Sequence, residues 1–309
     1  KNDIVLPTEV GFGLPQYNLN GDRNIGWDAS VSYKDKYRDF NYEIIGNVGF
    51  SRKKITKVYN PQFSNSLDYY NNNTQDRWSG GYWGFLSDGQ FTSQEQIDNW
   101  PIDNDGRGNR SQRPGDIIYK DLDKNGVIDN NDKRIIGYPN GLPLMTFSIT
   151  MNGSWKGFDI SMQWQGATKY QHYREWELMK FAPGDGGSVA LVADRWHRSD
   201  PFDLNSEWIP GRYPSIGTWN YGQNNNYDRP SDYWMSNVNY LRLKELEVGY
   251  TIPKSIMKKV GVNNMRVFVN GTNLLTFDNL DYCDPETGNG NGVTYPPTKL
   301  LSVGFKIEL

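Results

Sequence analysis

The stretch that decides the fold is MTFSITMNGSWKGFDISMQWQG, residues 145–166. Apolar residues alternate with Thr, Ser and Asn up to Trp155, the chain turns at Lys156-Gly157, and the alternation resumes at Phe158. A period of two on both sides of a short glycine-containing turn predicts a β-hairpin with one apolar and one polar face. Each arm has about ten residues, which at roughly 3.3 Å per residue and a tilt of about 45° matches the hydrocarbon core of a bilayer.

The polar face of this hairpin is mostly uncharged, and its apolar face has aromatic residues near the ends of both arms. These aromatic residues are Phe147, Trp155, Phe158 and Trp164. Transmembrane β-barrels combine a wet interior with aromatic girdles at the two membrane interfaces. A soluble β-sandwich also contains hairpins with one buried face, so this stretch alone leaves both folds open.

Composition excludes several classes of protein. The 309 residues include 22% charged and 14% aromatic residues and carry a net charge of -3. The slight acidity argues against nucleic acid as a partner, and the single Cys283 excludes a disulfide framework or a cysteine zinc cluster. No apolar run approaches the length of a transmembrane helix, although barrel strands would not show such a run. The chain opens at KNDIVLP without a signal peptide, and we expect this start to be a cut.

The same alternation recurs along the chain and predicts seven strands in all. Besides the first hairpin, the pattern predicts a second hairpin over 25–51 and strands over 240–253, 265–275 and 299–309. A change of phase near Lys244-Glu245 predicts a β-bulge there. Three shorter features are also predicted: a strand tail over Lys1–Leu6, a short helix in HYREWELMKF (172–181) and a helical turn just after Pro253.

The lengths of the connections favour the barrel. Short connections at 35–39, 156–157 and 253–264 alternate strictly with long ones at 7–24, 52–140, 168–239 and 276–298. Bacterial outer-membrane barrels have short periplasmic turns and long extracellular loops, whereas a sandwich has no reason to sort its loops by end. We therefore predict that 60–140 and 168–237 are long extracellular loop regions.

Several segments resemble the SusC/RagA family of TonB-dependent transporters of Bacteroidota outer membranes. The resemblance lies in RPGDIIYKDLDKNGVIDNNDKRIIG (113–137), SDYWMSNVNYLRLKELEVGYTIP (231–253) with the following RVFVNGTNLLTF and DPETG, the paired strands over 21–50, and the ending TKLLSVGFKIEL. These segments match the C-terminal barrel portion of the family, without its plug, TonB box and N-terminal strands. The final Leu309 departs from the family, in which an aromatic residue is commoner.

This resemblance implies an all-β, transmembrane antiparallel barrel of about 22 strands, of which residues 1–309 form the C-terminal portion. It also implies a location in the outer membrane, in contact with its lipid, and active import of oligosaccharides, or of oligopeptides in some members. The implied partners are a SusD-like surface lipoprotein that covers the extracellular mouth and TonB, which acts through the plug.

One motif predicts a metal site. The run from Asp121 to Asp132 matches a calcium loop of the EF-hand type, with glycine at the sixth position. The predicted ligands are Asp121, Asp123, Asn125, the carbonyl of Val127, Asp129 and Asp132. The last ligand is Asp where EF-hands have a bidentate Glu, so Ca2+ or Mg2+ would be held less tightly, without a catalytic role. A loop that satisfies its own backbone through Asx turns is the alternative.

Aromatic residues crowd the 168–237 region and are candidates for stacking on sugar rings. The candidates are Trp176, Trp196, Trp208, Tyr213, Trp219 and Tyr221, and the alternative is that they pack the loop or contact the lid protein. His172 and His197 show no metal or catalytic setting, and no carboxylate pair is recognisable. The sequence therefore predicts no enzyme. The alternative is a soluble or surface carbohydrate-binding β-protein or glycoside hydrolase, which would require two carboxylates about 5–10 Å apart.

Overall fold

The computed structural model describes residues 18–138, 142–175, 178–179, 188–215, 225–287, 292 and 294–308. The predicted strand tail at Lys1–Leu6 and the final Leu309 lie outside these residues. The strands are β1 (Gly21–Tyr37), β2 (Phe40–Lys57), β3 (Tyr82–Gly84), β4 (Ser87–Gln90), β5 (Ile117–Tyr119), β6 (Arg134–Gly137), β7 (Met145–Trp155), β8 (Phe158–Tyr173), β9 (His197–Arg198), β10 (Trp208–Ile209), β11 (Met235–Thr251), β12 (Asn264–Asp278) and β13 (Leu300–Glu308).

The α-helices are short, and they are α1 (Ser66–Asn72), α2 (Gln94–Asp98), α3 (Asn225–Asp228) and α4 (Lys254–Met257). Single 3-10 turns cover Asn130–Asp132, Ala190–Ala193, Asp232–Trp234 and Lys258–Val260. Within the described ranges, no helix has the length and apolar character needed to cross a membrane. The helical turn predicted after Pro253 is confirmed by α4.

Seven long strands form one sheet in the order β1-β2-β7-β8-β11-β12-β13, with every neighbouring pair antiparallel. All seven predicted strands are confirmed, but several continue further than the alternation indicated. The strand β2 continues to Lys57, and β8 continues to Tyr173, where it pairs with Met235. The predicted helix over 172–181 is therefore wrong at its start. Pairing of the backbone continues beyond the alternating segment because strand formation needs a neighbour rather than an apolar face.

The register places apolar residues opposite apolar or small residues, and polar residues opposite polar residues, on neighbouring strands. Phe147 lies between Val48 and Gly166, whereas the next residue, Ser148, lies between Asn47 and Gln165. Each strand therefore contributes its apolar residues to one face and its polar residues to the other. The predicted bulge is confirmed, because the register of β11 shifts between Leu243 and Glu245 against both neighbouring strands.

The tight turn of the central hairpin follows from two residues in the left-handed region. Lys156 has a φ of 46° and Gly157 a φ of 91°, as a two-residue type I′ turn requires. Such a turn has the twist of the flanking strands and fixes their register. A side chain at Gly157 would also approach the carbonyl oxygen of Thr251 to 3.0 Å.

The apolar face of the sheet is open. Val31 is 72% exposed, Phe305 is 69% exposed and Trp155 is 50% exposed, and no buried cluster of the described residues lies on this face. From Phe40 to Phe50 the apolar band of β2 has a height of roughly 25 Å at barrel tilt, as in outer-membrane barrels. A soluble sandwich would cover such a face with a second sheet. The sandwich is therefore contradicted.

The buried core lies in the long connections beyond one end of the sheet. Its main cluster comprises Phe85, Ile117, Tyr119, Ile128, Tyr173, Met179, Tyr213 and Trp234. A smaller cluster of Phe91, Ile97 and Ile118 lies beside α2. The two-stranded pairs β3–β6, β4–β5 and β9–β10 belong to the same region. The long connections thus fold on each other, which explains how chain segments without alternation still acquire defined structure.

Candidate functional site

The middle of the polar face presents a row of uncharged hydrogen-bonding side chains. Ser30, Asn47, Ser148 and Gln165 lie opposite one another on four neighbouring strands. Asn47 donates to the Ser148 hydroxyl at 3.2 Å. A recess of about 410 Å³ opens here, and Thr146 and Gln163 also line it. Amides and hydroxyls both donate and accept hydrogen bonds, so this surface suits a neutral polar solute.

Two groups of charged side chains on the polar face combine opposite charges. Toward the hairpin turns, Arg266 bonds to Asp159 through Nε at 3.0 Å and to Glu247 at 2.6 Å. A second group surrounds Arg242, whose guanidinium bonds to Asp284 and Glu286 and donates through Nε to Thr276 at 2.9 Å. Both groups combine opposite charges, whereas Asp28, which also lines the recess, lies outside both groups.

The Arg242 group holds a segment of the β12–β13 connection against the sheet. This segment, residues 281–287, is called the strap. Lys244 Nζ lies 3.0 and 2.9 Å from the two carboxylate oxygens of Glu286, and the Tyr170 hydroxyl donates to the Pro285 carbonyl at 2.7 Å. Arg242 is almost fully buried. The Tyr240 hydroxyl also donates to Glu286 at 3.2 Å. Because four side chains from β8 and β11 bond to the strap, it is fixed over the polar face.

Of the three candidate aromatic residues that the structure describes, two are core residues of the connections. Trp196 is buried, with its ring against Gly115, and Tyr213 stacks on Trp234 with an interplanar angle of 4°. Trp208 is partly exposed, and the Arg198 guanidinium lies 4.4 Å from its ring centroid. Trp176, Trp219 and Tyr221 lie outside the described residues. Substrate contact by Trp208 stays a prediction, whereas Trp196 and Tyr213 have little surface to offer a solute.

The two histidines and the cysteine are arranged without an evident metal site. His172 Nδ1 lies 3.5 Å from Cys283 Sγ, and His197 Nδ1 lies 2.9 Å from the Arg195 carbonyl. Burial raises the pKa of the Cys283 thiol to about 11, with the neighbouring carboxylate of Asp284 adding to the effect. A thiol with this pKa stays protonated and is a poor nucleophile.

The predicted calcium loop brings three of its ligands together. Carboxylate oxygens of Asp121, Asp123 and Asp132 all lie within 4.8 Å of one another. Partial desolvation raises the pKa of Asp123, and the charges of Asp132 and Asp129 raise it further. This mutual repulsion is what a divalent cation would relieve. Asn125 instead accepts from the Val127 backbone at 2.8 Å, as in an Asx turn.

The loop is joined to its surroundings through the backbone around Val127. The Asp103 amide donates to the Gly126 carbonyl at 2.8 Å, and the Ile128 amide donates to the Asp103 carbonyl at 2.9 Å. Arg229 reaches the Ile128 carbonyl at 3.3 Å from the second long connection. A cation here would therefore stiffen the contact between two connections.

A buried carboxyl that the sequence did not indicate joins the same two connections. Asp116 is 1% exposed, accepts from Asn226 Nδ2 at 2.7 Å and accepts from the Arg113 amide at 2.8 Å. Burial raises the pKa of Asp116 to about 7, although the bond from Asn226 opposes the shift. No spacing rule pairs Asp116 with Asn226, which is 110 positions away.

We expect the packed connections to weaken as pH rises. The pKa of Asp116 is raised above its ordinary value of 3.8, which means that the folded connections favour the protonated carboxyl. The stabilisation that this protonated carboxyl gives to the packed connections is therefore complete below pH 3.8 and is lost as pH rises through about 7. Between pH 5 and pH 8 the loss should be on the order of 2 kcal/mol. Hydrogen exchange of residues 113–119 in the full-length protein measures it. Asp116→Asn should flatten this pH profile, whereas Asp88→Asn, at an exposed ion pair, should leave it unchanged.

No protein-family model matches the chain. It is 26% identical to the TonB-dependent receptor P26 of Formosa agariphila, over 99% of this chain and 31% of that protein. It is 22% identical to the TonB-dependent receptor SusC of Bacteroides thetaiotaomicron, over 99% of this chain and 28% of that protein. The RagAB peptide importer in its open-open state superimposes with a TM-score of 0.69 at 19% identity, over 100% of this chain and 31% of that one.

The chain is a SusC/RagA-like barrel segment. It spans about a third of the length of the curated relatives it matches. As in TonB-dependent receptors, its location is the outer membrane, so the open apolar face contacts lipid and the polar face lines the barrel interior. The relatives are receptors and transporters, which agrees with the prediction of a protein that is not an enzyme.

Proposed function

We propose that this SusC/RagA-like segment belongs to an importer that takes up neutral oligosaccharides across the outer membrane. The observation that carries the proposal is the uncharged wall around Ser30, Asn47, Ser148 and Gln165, which lines the interior of the barrel segment. Sugar hydroxyls pair with amide and hydroxyl groups in both directions. An uncharged solute needs no cation or anion on this wall, where Asp28 is the one charged residue among the described residues that line the recess.

The partners follow from the proposed import. A SusD-like surface lipoprotein would close over the long connections, which we place outside the cell, and TonB would supply energy through a plug contributed by the rest of the protein. The packed core of the connections supports this arrangement, because a rigid rim gives a lid a defined surface on which to close.

Oligopeptides are the second candidate solute. The observation in favour is the similarity of the whole chain to the RagAB peptide importer. A peptide backbone also pairs with amides and hydroxyls, but its charged termini and side chains would need partners on the wall. Among the described residues that line the recess, Asp28 is the one charged residue, so this wall offers few partners for such charges.

The test is uptake by cells that carry the full-length transporter, supplied with fluorescent neutral oligosaccharides or with fluorescent peptides. We expect oligosaccharide uptake, and we expect Asn47→Leu with Ser148→Leu to reduce it strongly. The matched control is Ile149→Leu, on the lipid face one residue away. Uptake of peptides alone would overturn the oligosaccharide assignment, and uptake of neither solute would overturn import.

We further propose that the loop from Asp121 to Asp132 binds a divalent cation, Ca2+ or Mg2+. The support is the convergence of Asp121, Asp123 and Asp132, two of which are held by backbone amides: Gly126 donates to Asp121 at 2.8 Å and Leu122 to Asp132 at 2.7 Å. Asn125, Asp129 and the Val127 carbonyl complete the proposed ligands. Hard oxygen ligands at this spacing suit calcium best.

We expect excess calcium to protect residues 121–132 from proteolysis in the full-length protein and a chelator to remove the protection. Asp123→Asn removes one charge from an exposed proposed ligand, the carboxylate of which accepts from the backbone and side-chain amides of Asn125. It should therefore weaken calcium binding by at least about tenfold. The control is Asp88→Asn. Equal protection of wild type and Asp123→Asn would contradict the site.

A further inference from the structure

Four cations cluster on the lipid-facing side of the sheet, at the end where the long connections begin. This outward basic patch consists of Arg23, Arg52, Lys54 and Lys169. Arg23 lies directly opposite Lys54 on the neighbouring strand, and Arg52 lies two residues along β2 from Lys54. Lys169 Nζ lies 5.9 Å from the ring centroid of Phe50. The register therefore brings Arg23, Arg52 and Lys54 to one face of the sheet, just beyond its apolar band. The contact with Phe50 brings Lys169 to the same face.

The boundary of the apolar band lies immediately below the patch. Trp27 and Phe50 are opposite one another, and their rings stack at 6.4 Å. They form the aromatic girdle of this end of the band, where the acyl chains give way to headgroups. Arg52 follows Phe50 by two residues on the same face, so it lies at the level of the headgroups.

The cations are held in place but poorly neutralised. The Arg52 guanidinium lies between two rings, 4.4 Å from the centroid of Trp78 and 4.6 Å from that of Tyr138. Among the described residues, the carboxylate paired with the patch is Asp76, which is 71% exposed and 3.6 Å from Lys54. Like charges directly opposite on neighbouring strands destabilise a sheet unless an anion lies between them.

Snorkelling of long side chains explains single cations near a membrane surface but not this cluster. At the other end of the sheet, Lys156 also lies over a ring, that of Trp155, yet it is paired with Asp39. Among the described residues, the outward basic patch has four cations for one exposed carboxylate. This excess of positive charge is what a bound anion would offset.

We propose that the outward basic patch binds the phosphate groups of an anionic lipid headgroup in the membrane leaflet that surrounds this end of the barrel. The fixed Arg52 offers a planar donor pair to one phosphate, and Arg23 with Lys54 offers two further donors. In the orientation proposed above, this is the outer leaflet. The proposal does not depend on which solute is imported.

The test is native mass spectrometry of the full-length transporter in detergent with lipid A, phosphatidylglycerol or phosphatidylcholine. We expect phosphorylated anionic lipid to be retained over phosphatidylcholine. Replacing all four cations with glutamine should reduce retention by at least about tenfold. The matched control replaces Arg38 and Lys156, at the opposite end, with glutamine. Assembly of each variant is checked by heat-modifiable migration on gels.

Three outcomes would overturn the proposal: equal retention by the four-residue variant, an equal loss in the control, or displacement of the lipid by inorganic phosphate alone. The last would show a site for free phosphate in place of a lipid headgroup. If the four-residue variant fails to assemble, Lys169→Gln and Arg23→Gln are measured singly, since both side chains are exposed, and each should reduce retention.

Discussion

Arg242→Met should release the strap from the barrel wall and destabilise it by roughly 3 to 5 kcal/mol. The guanidinium is 2% exposed and bonds to Asp284 and Glu286, whose side chains are only 14% and 16% exposed. Methionine fills similar volume but leaves two carboxylates close together with Lys244 as their remaining cation. Hydrogen exchange at residues 281–287 of the full-length protein measures the release, which should appear as exchange faster by two orders of magnitude or more.

Two further variants serve as controls for the Arg242→Met prediction. Adding Asp284→Asn and Glu286→Gln to Arg242→Met removes the stranded charges and should recover most of the lost protection, because replacing a whole buried ion group is far less costly than breaking it. Arg266→Met, at the other ion group of the same face, should leave residues 281–287 protected. Unchanged exchange in Arg242→Met would mean that the strap is held by Tyr170 and its own turns.

A fixed strap also has a consequence for transport. It lies over the same polar face as the proposed solute wall, and its anchor Arg242 is the direct neighbour of the wall residue Gln165 in the register. Releasing the strap should therefore have a larger effect on the size of solute that passes than on the affinity of the wall for that solute. Uptake of oligosaccharides of increasing length in the Arg242→Met variant distinguishes these effects.

The sheet was predictable because its determinants are local. Alternation along Met145–Trp155 and Phe158–Gly166 sets the faces, a two-residue turn sets the register, and the phase slip at Lys244-Glu245 marks the bulge. The convergence of the carboxylates of Asp121, Asp123 and Asp132 was predictable for the same reason, since all three lie within one short loop. That a cation binds there stays a prediction. Strand ends were less predictable, because β8 continues to Tyr173 through pairing with β11 rather than through its own pattern.

The connections were not predictable, because their contacts join distant positions. Arg242 and Glu286 are 44 positions apart, and Asp116 and Asn226 are 110 apart. An aromatic residue in a loop rich in Gly and Asn has the same sequence signature whether it stacks on a sugar or fills a core. Trp196 and Tyr213 were therefore predicted as substrate contacts, and only the fold shows that they are buried.

Trp234→Ala should unfold the packed core of the connections while leaving the sheet assembled. The indole is 1% exposed, donates through Nε1 to the Asn226 carbonyl at 2.7 Å, and contacts the rings of Tyr213, Tyr227 and Tyr233. Removing a buried tryptophan costs about 3 to 5 kcal/mol through lost burial and the cavity left behind. We expect rapid proteolysis within 82–137 and 190–234 in the full-length protein.

The sheet should survive because its stability comes from strand pairing and lipid contact, which Trp234 does not touch. Heat-modifiable migration of the barrel should therefore stay at the wild-type level. Trp155→Ala is the matched control: this indole is 50% exposed on the lipid face, so its loss should leave the connections resistant to protease. If Trp234→Ala leaves them equally resistant, the cluster around this ring does not hold the rim together. The proposed closing surface for a lid would then need another source of rigidity, such as the cation loop.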